Sequence, residues 1–384
     1  MSDLTPYRVV CVVGTRPEAI KMAPVVLALR EDPRFEPFLL ATGQHAQMLY
    51  QALEPFGLVP DVDLRIMKEK QSLDYVTASV LEKVGEVLDR WTPRAILVHG
   101  DTTTTMAATL AGFYRHLPVG HVEAGLRSRD MGKPFPEEMN RVVTDRLSSL
   151  WFAPTEGSRD NLLGEGVRED RIWVTGNTVI DALLWTRSRV EIPGEPALGP
   201  VLGNVPFLLV TAHRRESWGA PLESIARSVK ELLDRHGDLH AVVPMHRNPE
   251  VREILRRHLG SEERAILCDP LDYPDFVWAM SRARLILSDS GGVQEEASAL
   301  RKPVLILREV TERPEALTSG SGILVGTSEE RILQTAGGLL QDSAAYETLQ
   351  QRCGTPFGDG KASERIAEAL GTFLTQSGIK GCRG

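Results

Sequence analysis

Residues 95–105 read Ala-Ile-Leu-Val-His-Gly-Asp-Thr-Thr-Thr-Thr, and residues 119–126 read Val-Gly-His-Val-Glu-Ala-Gly-Leu. Each stretch begins with an apolar run typical of a buried parallel strand and continues into a carboxylate beside a glycine. In open α/β sheets, ligands bind at the carboxyl ends of such strands. Asp101 and Glu123 are therefore candidate site residues, and Glu137 joins them because it opens the next helix after two prolines.

Three acids at one crevice suggest proton transfer, because like charges held close in a partly dry site cannot all ionise normally. A second interpretation stays open, since acidic residues often do no more than cap the start of a helix.

The composition bounds the class of protein. A chain of 384 residues exceeds the size at which one core keeps growing, so two domains are predicted. There is no apolar run of about 18 residues and no export signal, so we expect a cytoplasmic protein without a membrane span. The formal net charge of −8 disfavours a nucleic-acid partner. The four cysteines lack the paired spacing of zinc or disulfide frameworks, and Cys11 and Cys268 are predicted core residues.

Residues 1–190 alternate strand and helix patterns, which predicts a doubly wound parallel sheet. The first strand, Arg8–Val13, runs into a glycine turn and a helix start. Free backbone amides at such a turn attract anions, so Arg16 and Lys21 are candidate phosphate ligands. Dinucleotide-binding and Walker glycine patterns are absent.

The rest of the chain repeats this plan. Residues 191–206 collect prolines and glycines without periodicity and are the predicted linker. Residues 207–365 restart with a strand and a basic turn, which predicts a second Rossmann-like domain. Residues 366–384 are expected to form a helix and tail that pack back on the first domain. Two domains with similar openings suggest two sheets facing a shared cleft.

The second domain has its own signature at residues 288–296, where an apolar strand runs into Ser-Asp-Ser-Gly-Gly-Val-Gln-Glu-Glu. Gly291 and Gly292 would let a diphosphate approach the amides of a helix start, and Glu296, one turn on, could bind a ribose diol. Arg313 follows a later strand at the same edge. A plain strand-to-helix turn with solvated acids is the alternative.

Taken together, these motifs resemble the non-hydrolysing UDP-N-acetylglucosamine 2-epimerases over nearly the whole chain. The matching motifs are Gly14-Thr-Arg-Pro-Glu-Ala-Ile-Lys-Met-Ala-Pro24, His99-Gly-Asp-Thr-Thr-Thr-Thr105, His121-Val-Glu-Ala-Gly-Leu126, Gly176-Asn-Thr-Val-Ile-Asp181, His213-Arg-Arg-Glu-Ser217, Ser288-Asp-Ser-Gly-Gly-Val-Gln-Glu-Glu296 and Thr311-Glu-Arg-Pro-Glu315. The resemblance implies a glycosyltransferase-B-like fold, a homodimer, and no metal or nicotinamide. One departure is Leu271, where the family often has a polar residue in its uracil-contacting stretch.

The resemblance also implies an activity, the interconversion of UDP-GlcNAc and UDP-ManNAc for cell-surface polysaccharide synthesis. The family eliminates UDP to give a 2-acetamidoglucal and adds UDP back after protonating the other face, which requires acid and base groups and a stabilised leaving group. Asp101, Glu123 and Glu137 match the acid and base residues, and His213 matches the residue beside the departing diphosphate. The residues implied to bind the UDP moiety are Arg16, Lys21, Phe276, Ser290, Gly291, Gly292, Glu296 and Arg313.

In some members of the family, a second UDP-GlcNAc binds beside the active site and activates the enzyme. The residues that match this effector site are Gln44, Gln47, Lys70, Arg214 and His246. The activated members have an arginine near Lys70, and a lysine offers a point charge without the bidentate fork. The two glutamines could instead only cap the second helix.

Three alternative functions stay open. A hydrolysing epimerase would release free ManNAc, and a nucleotide-sugar sensor would show no turnover. A retaining glycosyltransferase of the same architecture would also bind a nucleotide diphosphate, but it has less use for three acids in the first domain.

Overall fold

The structure is a computed structural model that describes residues 5–43, 46–68, 71–214, 217–311 and 313–381. The chain divides into two compact units. Unit 1 comprises Met1–Ala182 and Gly358–Gly384, and unit 2 comprises Leu183–Phe357. The domain limits inferred from the sequence, at residues 190, 207 and 365, stay predictions.

The core of unit 1 is a sheet in which seven parallel strands are described, in the order β3-β2-β1-β4-β5-β6-β7. The strands are β1 (Tyr7–Val13), β2 (Phe35–Ala41), β3 (Val62–Asp63), β4 (Ala95–His99), β5 (Val119–Val122), β6 (Leu150–Ala153) and β7 (Ile172–Val174). The central strands are buried on both faces, which explains their unbroken apolar runs. The direction of winding reverses between β1 and β4, and ligands bind at such a switch point.

Helices connect and cover these strands. The helices of this part of the chain are α1 (Arg16–Glu31), α2 (Ala46–Leu53), α3 (Leu73–Trp91), α4 (Thr103–Tyr114), α5 (Glu137–Leu147), α6 (Glu156–Gly164) and α7 (Thr178–Arg187). Several begin at a hydroxyl residue that accepts a backbone hydrogen bond, among them Thr15, Ser72 and Thr102. The start of α5 at Glu137 confirms the prediction made from the sequence.

Unit 2 contains a second parallel sheet, with six described strands in the order β10-β9-β8-β11-β12-β13. The strands are β8 (Phe207–Thr211), β9 (His240–Pro244), β10 (Ala265–Cys268), β11 (Leu285–Ser288), β12 (Val304–Ile306) and β13 (Gly322–Leu324). This order also reverses direction beside the first strand, between β8 and β11. The predicted α/β class with two Rossmann-like domains is therefore confirmed.

The helices of unit 2 flank this sheet. They are α8 (Ala220–Arg235), α9 (Pro249–Leu259), α10 (Tyr273–Arg282), α11 (Gly291–Ala299), α12 (Pro314–Thr318), α13 (Glu329–Gln341) and α14 (Ser343–Arg352). The proline-rich segment predicted as a linker contains a short 3-10 helix, Pro196–Val201, whose Leu198 is buried. The backbone amides of Gly194 and Glu195 donate to the carboxylate of Asp275, both at 2.7 Å, so this segment is fixed to helix α10 within unit 2.

Two further expectations concern burial. Cys11 and Cys268 are confirmed as core residues, and burial raises the pKa of each thiol to about 12. None of the described helices has both the length and the apolar character needed to cross a membrane.

The last helix, α15 (Ala362–Gly381), lies in unit 1, where it contacts α1. Its start is fixed by Asp181, a buried residue of α7. The carboxylate accepts hydrogen bonds from the amides of Ala362 (3.1 Å) and Ser363 (2.8 Å) and from the Ser363 hydroxyl (2.6 Å). A negative charge at the amino end of a helix also interacts favourably with the helix dipole.

We predict that Asp181→Ala lowers the free energy of unfolding of unit 1 by about 2–4 kcal/mol, because three buried donors lose their acceptor. Asp160→Ala serves as the control, because the Asp160 carboxylate is exposed and its ion pair with Arg159, at 3.6 Å, is a surface contact. Urea unfolding of both variants, followed by hydrogen exchange in α15, measures the effect. Equal stability of the two variants would show that Asp181 does not hold this helix.

Candidate active site

Glu123 is the most enclosed of the three predicted acids. It follows β5 with a left-handed backbone (φ 66°), and its side chain is 8% exposed. The carboxylate forms an ion pair with Lys21 of α1 and accepts a hydrogen bond from Asn177 Nδ2 at 3.4 Å. A non-glycine residue in this conformation costs about 1–3 kcal/mol, and such strain is concentrated at functional sites.

His99 lies beside the same carboxylate, although no role was predicted for this residue from the sequence. It is buried at the end of β4, and its Nε2 lies 3.1 Å from Glu123 Oε2. Within the described part of the chain, His99 Nδ1 has no hydrogen-bond partner. The position of a histidine directly before Gly100, at the carboxyl end of a buried strand, was the signal that could have identified it.

Asp101, the second predicted acid, forms an ion pair with an arginine. Its carboxylate lies 2.6 Å from Arg141 Nη2, and its backbone oxygen accepts from Asn140 Nδ2 at 2.9 Å. Arg141 also lies 3.2 Å from Glu138, a buried residue of α5. The prediction from the sequence missed Arg141 and Glu138.

Glu138 holds the loop that precedes α5. Its carboxylate accepts hydrogen bonds from the amides of Ser128 (3.0 Å) and Arg129 (2.9 Å). The neighbouring Glu137 is half-buried at the first position of α5, and its side chain makes no hydrogen bond or ion pair with any other described residue. The three predicted acids therefore have three different surroundings: Glu123 is paired with a lysine, Asp101 with an arginine, and Glu137 with neither.

A buried histidine links the ends of β4 and β5. His121 Nε2 is 2.8 Å from the carbonyl oxygen of Gly100, and His121 Nδ1 is 2.6 Å from Asp145. The Asp145 carboxylate also forms an ion pair with Arg127 Nη1 at 2.8 Å and accepts a hydrogen bond from the amide of Gly125 at 3.1 Å. Burial alone would raise the pKa of Asp145, but His121 and Arg127 hold it below its usual value. This network fixes the loop that carries Glu123.

The turn between β1 and α1 differs from the expectation. The amides of Gly14 and Thr15 both donate to the carboxylate of Glu18 at 2.7 Å, and Thr105 Oγ1 donates to it at 3.0 Å. The premise that these amides are free to bind a phosphate is therefore wrong, because a buried capping glutamate occupies them. The roles of Arg16 and Lys21 in binding UDP stay predictions.

In unit 2, α11 begins at Gly291, as predicted, and its N-cap Ser290 makes no side-chain capping hydrogen bond. A Cβ atom placed on Gly291 would lie 3.9 Å from guanidinium atoms of both Arg214 and Arg313. Two guanidinium groups therefore lie beside an amino-terminal helix end, an arrangement that favours a diphosphate. Arg313 also forms an ion pair with Glu295.

Of the two residues predicted to bind the nucleoside, Glu296 lies on α11 and Phe276 lies on α10. Glu296 is buried, and its carboxylate accepts a hydrogen bond from the Tyr273 hydroxyl at 2.9 Å. Phe276 is half-buried on α10, and Leu271 is buried just before that helix. The open position of Gly292, whose nearest neighbour for a Cβ is Ser290 Oγ at 4.0 Å, leaves space above the turn.

His213 is held by Asp289, a buried residue that the sequence prediction missed. The carboxylate accepts the amides of His213 and Arg214, both at 3.0 Å, and the Ser217 hydroxyl at 2.8 Å. His213 Nδ1 lies 3.2 Å from the other carboxylate oxygen, while the side chain remains 48% exposed. Loss of solvent around the ring, with the positive charge of Arg214 and the nearby His246, lowers the pKa of His213, and Asp289 opposes this shift.

The structure describes only part of the predicted effector site. Gln44, Lys70 and the side chain of Gln47 lie outside the described residues. His246 is exposed, with its ring 6.0 Å from that of Trp218. Among the residues that are described, no three His, Cys, Asp or Glu side chains are grouped to bind a metal.

Comparison with known proteins gives these features a context. The sequence pattern of the UDP-N-acetylglucosamine 2-epimerase family matches residues 27–371. The UDP-N-acetylglucosamine 2-epimerase of Escherichia coli (strain K12) is 50% identical over 370 residues, which are 94% of this chain and 98% of that protein. The crystal structure of UDP-GlcNAc 2-epimerase from Neisseria meningitidis bound to UDP-GlcNAc is 44% identical, with a TM-score of 0.86, and covers 94% of this chain and 99% of that one.

The fold alone is shared more widely. A glycosyltransferase from Rickettsia africae ESF-5 is 14% identical, with a TM-score of 0.63 over 97% of this chain and 99% of that one. This likeness supports the predicted glycosyltransferase-B-like fold class. Because the family pattern spans most of the chain and a relative is 50% identical over 94% of it, the chain belongs to the UDP-N-acetylglucosamine 2-epimerase family.

Proposed function

We propose that this protein interconverts UDP-GlcNAc and UDP-ManNAc without hydrolysis, and so supplies UDP-ManNAc for cell-surface polysaccharide synthesis. The main observation in favour is the strained, enclosed Glu123, paired with Lys21 and adjacent to His99 at the carboxyl end of the unit 1 sheet. The proposal includes a cytoplasmic homodimer, as the family resemblance implies.

The UDP moiety is proposed to bind at the start of α11. Its diphosphate would accept hydrogen bonds from the amides at Gly291 and Gly292 and from the guanidinium group of Arg313. Arg16, Lys21 and Ser290 would supply further contacts, Glu296 would bind the ribose, and Phe276 would contact the uracil. The Neisseria meningitidis relative bound to UDP-GlcNAc supports this class of ligand.

The proposed reaction begins with elimination. A carboxylate takes the proton from C2 of the sugar, the C2–H electron pair forms the C1=C2 double bond, and the C1–O pair leaves with UDP. The C2 proton is not adjacent to a carbonyl, so stabilisation of the departing diphosphate has to lower the barrier. His213 is proposed to stand beside that diphosphate.

The return step inverts C2. An acid donates a proton to the opposite face of C2 while a diphosphate oxygen of UDP bonds to C1, so no water enters the product. The reaction needs one protonated and one deprotonated group. Asp101, Glu123 and Glu137 have different surroundings, and different surroundings allow neighbouring acids to differ in protonation state. The ion pair with Lys21 favours the anionic form that a base requires, which supports Glu123 as one of the two groups.

We predict that incubation with UDP-GlcNAc in deuterated water gives UDP-ManNAc with deuterium at C2, because the abstracted proton exchanges with solvent before return. Proton NMR of the products measures this. Free ManNAc with UDP would indicate a hydrolysing epimerase instead, and a sensor, or a glycosyltransferase without acceptor, would leave the substrate unchanged.

The amide variants Asp101→Asn, Glu123→Gln and Glu137→Gln are each predicted to lower kcat by roughly 100-fold or more, with little change in UDP affinity. The matched control is Glu156→Gln, because that glutamate is exposed at the start of α6. Steady-state kinetics and UDP titration measure both quantities. A variant with near-native kcat would remove its residue from the mechanism.

We further propose that a second UDP-GlcNAc activates the enzyme through Gln44, Gln47, Lys70, Arg214 and His246. The effect of Arg214 and His246 on the pKa of His213 supports their place beside the site. Activation requires the effector to bind the active state better, and tenfold activation needs a difference of only about 1.4 kcal/mol.

Reaction progress from pure UDP-ManNAc is therefore predicted to show a lag that a trace of UDP-GlcNAc removes. His246→Ala and Gln44→Ala should lose the effect of the trace, whereas Arg247→Ala, the exposed neighbour, should retain it. Immediate linear turnover of pure UDP-ManNAc would contradict the effector site.

A further inference from the structure

A second candidate ligand site lies in unit 2, at the end of the sheet opposite the start of α11. It is a cavity of about 290 Å³, which we call the amino-edge cavity. Phe207 at the start of β8, Arg284 just before β11 and Lys302 just before β12 contribute to its lining, together with Arg282, Tyr346 and Gln350. Since strands β8, β11 and β12 are parallel, their first residues share the edge remote from Ser290 and Gly291.

The cavity collects positive charge without the acids that usually neutralise it. Arg282, Arg284 and Lys302 line it, and Arg187 is close enough to act on Lys302 electrostatically. Among the described residues, no carboxylate lies within 4.0 Å of a charged nitrogen of these four side chains. This is unusual in a chain with a formal net charge of −8, in which many other arginines are paired.

Two of the cations are held in place by neighbouring groups. The guanidinium carbon of Arg284 lies 3.6 Å from the centre of the Tyr346 ring, and the Tyr346 hydroxyl donates to the carbonyl oxygen of Arg284 at 2.6 Å. Lys302 Nζ donates to the carbonyl oxygen of Ala283 at 2.9 Å. An ammonium group has three donors, so this bond leaves two N–H groups of Lys302 for a ligand.

Burial and the neighbouring positive charges disfavour the protonated form of Lys302. Burial, together with the charges of Arg187, Arg284 and Arg282, lowers the pKa of Lys302 to about 8. The contact with Ala283 explains one cation, because it satisfies a carbonyl at the end of α10. It does not explain why three arginines accompany that lysine.

We propose that the amino-edge cavity binds the phosphate group of a small phosphorylated molecule, at a site separate from that of the UDP-sugar. Arginine forks and an ammonium group are the common protein ligands of phosphate. The volume of about 290 Å³ admits a small molecule, and the Tyr346 ring beside Arg284 holds the guanidinium in a fixed orientation.

The test is calorimetric titration of the full chain with inorganic pyrophosphate at constant ionic strength, with and without excess UDP. Pyrophosphate resembles part of UDP, so it can also bind at the UDP-sugar site. Excess UDP blocks that site, and the pyrophosphate binding that remains is assigned to the cavity. That binding is expected to saturate at one equivalent per chain. Lys302→Gln and Arg282→Gln should each weaken it by about tenfold or more.

Arg256→Gln is the matched control, because Arg256 is an exposed arginine on another helix of the same unit. It should leave the affinity unchanged. Complete loss of pyrophosphate binding in excess UDP would overturn the proposal, as would equal affinities in the cavity variants and the control. Arg282 is exposed, so its variant tests the site even where Lys302→Gln folds poorly.

The pH dependence gives a second readout, with sulfate as a probe that does not itself titrate near neutrality. A bound anion favours the charged form of Lys302, so the affinity for sulfate should fall as the pH rises through about 8. Lys302→Gln should remove this dependence. An unchanged pH profile in that variant would count against the participation of the lysine.

Discussion

Buried carboxylates that each bind two consecutive backbone amides fix the loops at the ends of the sheets. The acids that do so are Glu18, Glu138, Asp181, Asp275 and Asp289. A hydrogen bond to a charged acceptor is about twice as strong as a neutral one, and a buried charge that loses its donors is costly. Breaking the contact between a loop and its acid therefore costs free energy. The turns that carry candidate site residues are held in place by these contacts.

The same contacts separate structural acids from candidate catalytic ones. Glu138 is saturated by loop amides, whereas the adjacent Glu137 is bound to no described residue. The carboxylate of Glu18 is hydrogen-bonded to backbone amides at the start of α1, whereas that of Glu123 lies beside a lysine and a histidine. A carboxylate that already accepts two buried backbone amides is favoured as the anion and has a structural role, so it is a weaker candidate for an acid that must gain and lose a proton.

The sequence could predict the elements whose signal is local. The strands β4 and β5 and the start of α11 follow from short apolar runs that are followed within a few residues by a glycine, and the amino-acid order alone indicates them. The identity of the working acids required the fold, because Glu137 and Glu138 are neighbours with identical chemistry and differ only in what surrounds them.

The two anion sites considered for unit 2 rest on opposite electrostatic grounds. At the start of α11, the backbone amides and the helix dipole already favour a negative ligand, so a few guanidinium groups suffice. The amino-edge cavity lies instead beside the carboxyl end of α10, where the dipole is negative and the carbonyl oxygen of Ala283 points at Lys302. Side-chain cations there have to offset the helix end before they can attract an anion. The number of basic residues at the cavity follows from that requirement, because part of their positive charge offsets the helix end and the remainder is available to a ligand.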